Sequence, residues 1–193
     1  MKISKIAKLV KKTGCVQLIR VDVTKMFLGA GANAVYATEG LPLISGEEQA
    51  RIILDLTKEQ MDKIDVVEDA GTLKTTGLID FNMKPDDKEA IEWEAKRLPA
   101  AAVVSGEIVD VLELEDGEII LFDSEYLDPL KEEQKSPYFK LKVRETSAKR
   151  KYIVVYDGLF IIAAIMPMTV GSEYFKQLDN FVEAMNKIRP SNA

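Results

Sequence analysis

A run of ten apolar residues near the end of the chain, LFIIAAIMPM at 159–168, most constrains how this sequence folds. A helix that crosses a bilayer needs about 20 apolar residues, so this run is too short to span a membrane. It is rich in isoleucine and follows Asp157-Gly158, a pair typical of tight turns. The run is therefore predicted to be a buried strand, whose end either packs in the core or contacts a partner.

The composition favours a globular chain with few routes to catalysis. Of 193 residues, 47% are hydrophobic and 30% charged, with a net charge of −6. The chain has no histidine and one cysteine, Cys15, which excludes Ser–His–Asp triads, Cys–His pairs and an intramolecular disulfide. We expect a cytoplasmic protein in a reducing compartment that is not an enzyme, binds no cofactor and does not associate with a membrane.

The pattern of elements predicts an α+β fold with antiparallel sheets and flanking helices. Helix 2–13 is predicted because Ile3, Ile6, Leu9 and Val10 share one face and Gly14 follows its end. The other predicted elements are strands within 15–21 and 26–38, helices at 46–56, 84–98 and 124–134, a hairpin at 107–123 that turns at Asp116-Gly117, three strands within 138–168, and a closing helix at 172–188.

The first helix carries the clearest electrostatic signal. Lys5, Lys8 and Lys12 follow helical spacing and project together, in a chain that is acidic as a whole. Such a stripe is a candidate contact for DNA phosphates, with salt-dependent and sequence-independent affinity. The alternative is a solvated helix face that keeps the protein soluble.

Three further motifs have simpler structural interpretations. The G-x-G-x-x-A pattern at Gly29, Gly31 and Ala34 matches a dinucleotide loop, but the strand-like sequence VYATEGLP follows it, so we interpret it as a glycine-bearing hairpin. Cys15 follows five lysines, which could lower its pKa modestly, but it is interpreted as a buried structural thiol. The carboxylates of the 107–123 hairpin are interpreted as a solvated face rather than a metal site; they are Asp110, Glu113, Glu115, Asp116 and Glu118.

Residues 118–168 carry a resemblance to a known family. They resemble the last domain of bacterial DNA sliding clamps, the beta subunit of the replicative polymerase, in which a strand enters the pattern FN..YL.D.L, a short helix and three strands follow, and the last strand ends in MPM. The matching positions are Phe122, Tyr126, Leu127 and Leu130, and then Met166, Pro167 and Met168. The start of the chain also resembles small proteins carried by phages and prophages.

The resemblance implies one clamp-like domain over 1–193, built from halves at about 1–84 and 103–190. Each clamp half is a helix with a small antiparallel sheet, so helix 2–13 would correspond to helix 124–134. Clamp helices face the DNA, and the residues around MPM border an apolar pocket for partner peptides. Met166, Pro167 and Met168 are therefore candidate partner-binding residues, and the extra helix 172–188 would cover or occupy that pocket.

Two functions follow as expectations. The first is a non-enzymatic, clamp-like binding protein associated with DNA replication or handling in a phage or bacterium, which contacts double-stranded DNA without sequence specificity and forms a homo-oligomer. The alternative is a protein–protein interaction module that retains the clamp-like fold without binding DNA. A Mg²⁺-dependent hydrolase is disfavoured because no set of acids converges in the sequence.

Overall fold

The computed structural model describes residues 1–20, 25–38, 40–70, 81, 83–84, 90–104, 106–146 and 149–169. The helix expected at 172–188 lies outside the described residues. The strands are β1 (Cys15–Arg20), β2 (Met26–Ala30), β3 (Ala34–Ala37), β4 (Asp65–Ala70), β5 (Glu92–Val104), β6 (Glu107–Leu114), β7 (Ile119–Asp123), β8 (Phe139–Glu145), β9 (Lys151–Asp157) and β10 (Phe160–Ile165). The helices are α1 (Ile3–Thr13), α2 (Gly46–Ile53) and α3 (Lys58–Met61), with a 3-10 helix at Ser124–Leu130 and a short 3-10 turn at Glu133–Lys135.

Among the described residues, ten strands form one sheet in the order β4-β1-β2-β3-β10-β9-β8-β5-β6-β7. Every neighbouring pair is antiparallel except β1 and β4, which run parallel. The chain is therefore a mixed α/β protein with a mostly antiparallel sheet and few helices, which agrees with the predicted α+β class.

Helix α1 forms where the sequence predicts it. Its apolar side chains Ile6, Leu9 and Val10 are buried, and Gly14 ends the helix in the left-handed conformation with φ of 68°. The opposite face of the helix carries the lysines. The amphipathic pattern thus fixes which side of α1 packs on the sheet.

Six consecutive strands of the sheet, β1-β2-β3-β10-β9-β8, form two similarly paired units. In the first unit β1 pairs with β2 and β2 with β3; in the second, β8 pairs with β9 and β9 with β10. The third strands, β3 and β10, pair with each other antiparallel, with Val35 opposite Ala164. An approximate local twofold axis between β3 and β10 therefore relates the units, and it exchanges α1 with the 3-10 helix, which lies beside it.

One core cluster lies between this sheet and the two helices, and a second cluster, which includes Tyr152, Val154 and Ala164, lies on the opposite face of the sheet. Two rows of paired residues cross all six strands, and every member is at most 7% exposed. One row is Leu18, Leu28, Tyr36, Ala163, Val155 and Leu141, and the next is Val16, Ala30, Ala34, Ile165, Ile153 and Val143. The run LFIIAAIMPM thus contains strand β10, as its composition predicts, but the strand is buried only after its first residue: Phe160 is 59% exposed, and Leu159 before it is 83% exposed.

The helix predicted at 84–98 is wrong for the described part of that segment. Residues 92–104 form strand β5, whose first residues pair with β8 and whose remainder pairs with β6. Glu92 and Glu94 both form ion pairs with Lys142 on β8, at 2.7 and 2.9 Å. Cross-strand pairing therefore overrides the helix propensity of the sequence EAIEWEAKRL.

A charged network is buried on the face of the sheet away from α1. The Arg144 side chain is only 2% exposed, and its guanidinium donates to Glu92 Oε2 at 2.7 Å and to the Tyr156 hydroxyl at 2.7 Å. The Tyr156 hydroxyl donates in turn to Glu92 at 2.8 Å, and a further Arg144 N–H binds the Lys84 carbonyl. These bonds satisfy a buried arginine that would otherwise be costly.

Candidate binding site at the end of helix α1

Four lysines in α1 or just before it do not face open solvent alone, because each of these four meets a carboxylate of the neighbouring 3-10 region. The pairs, in order along the helix, are Lys2 with Glu132 at 3.3 Å, Lys5 with Asp128 at 3.4 Å, Lys8 with Glu125 at 2.9 Å, and Lys12 with Asp123 at 2.9 Å and with Glu125 at 3.3 Å. The lysine numbers rise as the acid numbers fall, so the two helices run antiparallel. We call this set the lysine–carboxylate ladder.

The ladder changes the electrostatics of the predicted DNA contacts. Lys5, Lys8 and Lys12 do lie on one face, with 41, 56 and 38% of their side chains exposed. The hydrogen bond between Lys8 and Glu125 raises the pKa of Lys8 and lowers that of Glu125. Phosphates that approach this face would compete with carboxylates already in place.

The ladder also shows what the sequence reasoning missed. The spacing of the lysines alone predicts contacts with phosphates or with solvent, not with the acids of 124–134. Yet Glu125, Asp128 and Glu132 repeat at the same three-to-four-residue spacing as the lysines. That complementary spacing is a signal that predicts two neighbouring helices with opposite charge.

The segment Met166–Met168 is held between two distant parts of the sheet. The Met166 N–H donates to the Asn33 carbonyl, in the β2–β3 turn, at 2.7 Å. The Met168 N–H donates to the Leu121 carbonyl, on β7, at 2.8 Å. The backbone of the segment is therefore fixed, while its side chains are partly exposed.

An open pocket of about 680 Å³ lies where this segment meets the end of α1. Its described lining is Lys12, Thr13, Cys15, Gly31, Ala32, Asn33, Asp123, Tyr126, Met166, Pro167, Met168 and Thr169. The volume falls in the range of about 300–1,000 Å³ typical of ligand pockets. The structure thus brings one predicted DNA contact, Lys12, to the same pocket as all three predicted partner contacts, which the sequence did not indicate.

The pocket wall is built from well-anchored polar groups and apolar side chains. The Asn33 amide donates to the Tyr126 hydroxyl at 2.8 Å, and the buried Tyr36 hydroxyl donates to the Tyr126 carbonyl at 2.8 Å. Lys12 and Asp123 neutralise each other, and Asp123 is only 6% exposed. The surface offered to a ligand is therefore mainly uncharged, with methionine side chains that adapt to different partners.

Cys15 and the glycine motif have structural roles and supply neither a reactive nucleophile nor a nucleotide-binding loop. Burial raises the pKa of the Cys15 thiol, and the nearby Asp65 carboxylate raises it further, so the thiol is not activated as a nucleophile. Gly31 lies in the β2–β3 hairpin, as the interpretation of the G-x-G-x-x-A motif predicts. A side chain on Gly29 would meet Gln17 Cβ at 2.8 Å, so glycine permits close packing of β1 and β2.

The carboxylates of the β6–β7 hairpin do not converge. Asp110 is buried and accepts a hydrogen bond from Arg97 at 2.9 Å, and Glu118 pairs with Lys151. No group of three or more histidine, cysteine, aspartate or glutamate side chains among the described residues is arranged to hold a metal ion. Within the same described residues, no helix has the length and apolar character needed to cross a membrane.

Comparison of the chain with protein-family models, with curated proteins and with solved structures found no match.

Proposed function

We propose that the protein is a non-enzymatic, clamp-like binding protein that holds a segment of a protein partner in the pocket at Met166–Met168. The observation that carries this proposal is the pocket itself, with a fixed backbone and adaptable apolar side chains. Pockets of this kind bind short apolar anchors of partner chains. This favours the interaction-module alternative over a primary role in DNA binding.

The clamp-like part of the proposal is supported by the local twofold arrangement. Two units, each a helix followed by three antiparallel strands, place both helices on one face of one sheet. The resemblance to sliding clamps implies this arrangement for a single domain. The position of Met166, Pro167 and Met168 beside a pocket also agrees with that resemblance.

DNA binding remains a second candidate function, favoured by one observation. Lys2, Lys5, Lys8 and Lys12 form a single row, and each side chain is between 38 and 56% exposed. In the pairs of Lys2, Lys5 and Lys8 the carboxylates are also 37–52% exposed, so these pairs are weak and phosphates would displace their carboxylates at modest cost. We expect low, strongly salt-dependent affinity for double-stranded DNA.

The pocket proposal is tested with a random peptide library displayed on phage and selected against the full chain. The matched variant is Ala32→Arg, which places a long charged side chain in the pocket from a turn outside the buried core. Selected peptides should carry apolar anchors, shift the methyl NMR signals of Met166 and Met168, and bind the variant much more weakly. Peptides that bind the variant equally well, or leave those methyl signals unchanged, would overturn the proposal.

A further inference from the structure

Strands β6 and β7 are buried on both of their faces. Alternate residues of a strand point to opposite faces of a sheet. Leu112 and Phe122 point to one face and belong to the core cluster that contains the apolar side chains of α1. Four residues of the opposite face form a separate cluster, and each of them is at most 7% exposed. We call these four residues the outer patch: Val109, Val111, Ile119 and Leu121.

The described residues do not supply a layer that covers the outer patch. The partly buried apolar side chains packed against it are Leu98, Ala102, Val104 and Met168. The first three lie on β5, which pairs with β6, so they adjoin the patch from the side. Two patch residues are nonetheless 0% exposed, and a sheet face becomes this buried beneath a second layer, at a distance of about 10 Å. The covering layer therefore comes from a part of the chain outside the described residues.

Two stretches outside the described residues are long enough to form such a layer, one within 71–89 and one at 170–193, since the remaining gaps are four residues or fewer. Phe81 and Met83, the buried residues of the first stretch, pack in the cluster on the other side of the molecule, with Tyr152. The second stretch begins two residues after Met168, which packs against the patch and whose N–H is bound to the carbonyl of a patch residue. The path of the chain therefore favours 170–193.

The sequence of this segment matches the outer patch in polarity and size. The helix predicted over 172–188 carries five apolar residues on one face: Tyr174, Leu178, Phe181, Val182 and Met185. Such a helix is about 25 Å long and about 10 Å wide, and two strands spaced about 4.8 Å apart fit beneath it. Its apolar face would lie on an apolar surface, while its polar face would remain in solvent.

We propose that residues 170–193 dock through this apolar face on the outer patch, so that the segment lies beside the pocket and leaves the pocket open. Met168 is where the two surfaces meet, because it lines the pocket and also packs against the patch. The family resemblance instead implies that helix 172–188 covers or occupies the pocket, so the two placements make different predictions. Only the open pocket rests on the proposed function; the docking on the patch does not.

Methyl NMR on the full chain tests the placement directly. Nuclear Overhauser effects should connect the methyl groups of Leu178 or Val182 with those of the outer patch, such as Val111. Contacts from the same methyl groups to Ala32 or Met166, which line the pocket, would place the segment in the pocket and overturn the proposal. Failure to observe any contact with the outer patch would overturn it as well.

Trypsin cleavage after Lys187 gives an independent test of docking. The variant Leu178→Ser with Phe181→Ser removes the centre of the apolar face and should increase the cleavage rate about tenfold or more, because cleavage requires the undocked segment. Asn180→Ser, on the polar face, is the matched control and should be cleaved like the wild type. A wild type cleaved as fast as the double variant would contradict docking. Circular dichroism confirms that each variant is folded.

Peptide binding separates the failure of this inference from the failure of the proposed function. Peptides selected for the pocket should bind the double variant and the wild type with similar affinity, because the segment does not compete with them. Binding to the double variant that is about tenfold tighter or more would mean that the segment occupies the pocket, and would overturn the placement. If the selection yields no peptide, the proposed function fails, while the contacts with the outer patch still decide this inference.

Discussion

Lys12 Nζ lies 2.9 Å from Asp123 Oδ2, and this contact joins the last turn of α1 to the first residue before the 3-10 helix. Asp123 is only 6% exposed, and its other oxygen accepts the backbone N–H of Glu125 at 2.9 Å. The same carboxylate therefore caps the 3-10 helix and neutralises the lysine at the pocket. The two helices of the local twofold are coupled at the point where the proposed site opens.

Lys12→Met should destabilise the protein by about 1–3 kcal/mol, because it leaves a buried carboxylate without its cation. Lys11→Met, on the exposed part of the same helix turn, is the matched control and should cause no measurable change. Urea unfolding followed by circular dichroism measures both. Equal effects of the two variants would mean that Lys12 acts through helix charge alone and not through Asp123.

Neutralising the carboxylates of the ladder should raise DNA affinity if the lysine row binds phosphate. The variant Glu125→Gln with Asp128→Asn removes the partners of Lys8 and Lys5 and should bind double-stranded DNA more tightly at low salt, with a steeper dependence on salt concentration. Fluorescence anisotropy with a labelled duplex measures this.

The matched control for the DNA experiment is Glu47→Gln with Glu59→Gln, which changes the net charge equally at exposed positions on α2 and α3. An equal rise in affinity for this control would show that net charge, and not the lysine row, governs binding. Adding Lys5→Glu and Lys8→Glu to the ladder variant should abolish the gain. If this combined variant kept the higher affinity for the duplex, α1 would not be the DNA-binding surface.

Local sequence signals predicted the parts of the fold that short-range physics controls. Helix α1 follows from its apolar spacing and from Gly14, and the β6–β7 hairpin follows from Asp116-Gly117. Strand β5 was missed because its residues favour helices, and what makes it a strand is pairing with residues far along the chain, such as Trp93 with Val143. The parallel pairing of β1 with β4 has no local signal either.

The sequence predicted the residues of the candidate site but not that they lie together, because their arrangement also depends on contacts between distant segments. Met166–Met168 emerged from a family resemblance and Lys12 from helical spacing, each as a separate prediction. Their shared pocket depends on the hydrogen bonds of Met166 to Asn33 and of Met168 to Leu121, which join segments that are distant along the chain. Such contacts are fixed by sheet order, which the periodicity of a single sequence does not specify.

The buried Arg144 network should make stability depend on pH in the acid range. Burial alone would raise the pKa of Glu92, but hydrogen bonds from Lys142, Arg144 and Tyr156 outweigh it and hold the pKa below the ordinary value of 4.5. A carboxyl group whose pKa is lower in the folded state than in the unfolded state stabilises the protein at pH values above the unfolded-state pKa. That contribution should be lost as the pH falls below about 4.5 toward the folded pKa.

Glu92→Gln should therefore cost about 2–3 kcal/mol at neutral pH and flatten the loss of stability on acidification. Glu94→Gln is the control, because Glu94 pairs with the same Lys142 but is 53% exposed. Thermal unfolding from pH 3 to pH 7 compares the slopes. An unchanged acid slope in Glu92→Gln would assign the pH dependence to other carboxyls.

The two turn glycines related by the local twofold should respond differently to alanine. At Gly158, with φ of 61° and nothing within 4 Å of a new Cβ, alanine meets only backbone strain of about 1 kcal/mol. At Gly31, with φ of 56°, the new Cβ would also lie 2.9 Å from Thr13 Cβ. Thr13 is held by hydrogen bonds to the Val10 and Cys15 carbonyls, so Gly31→Ala should cost about 2–4 kcal/mol and weaken peptide binding at the pocket. Equal costs for the two variants, measured by urea unfolding, would mean that Thr13 moves aside and that the pocket wall is not rigid.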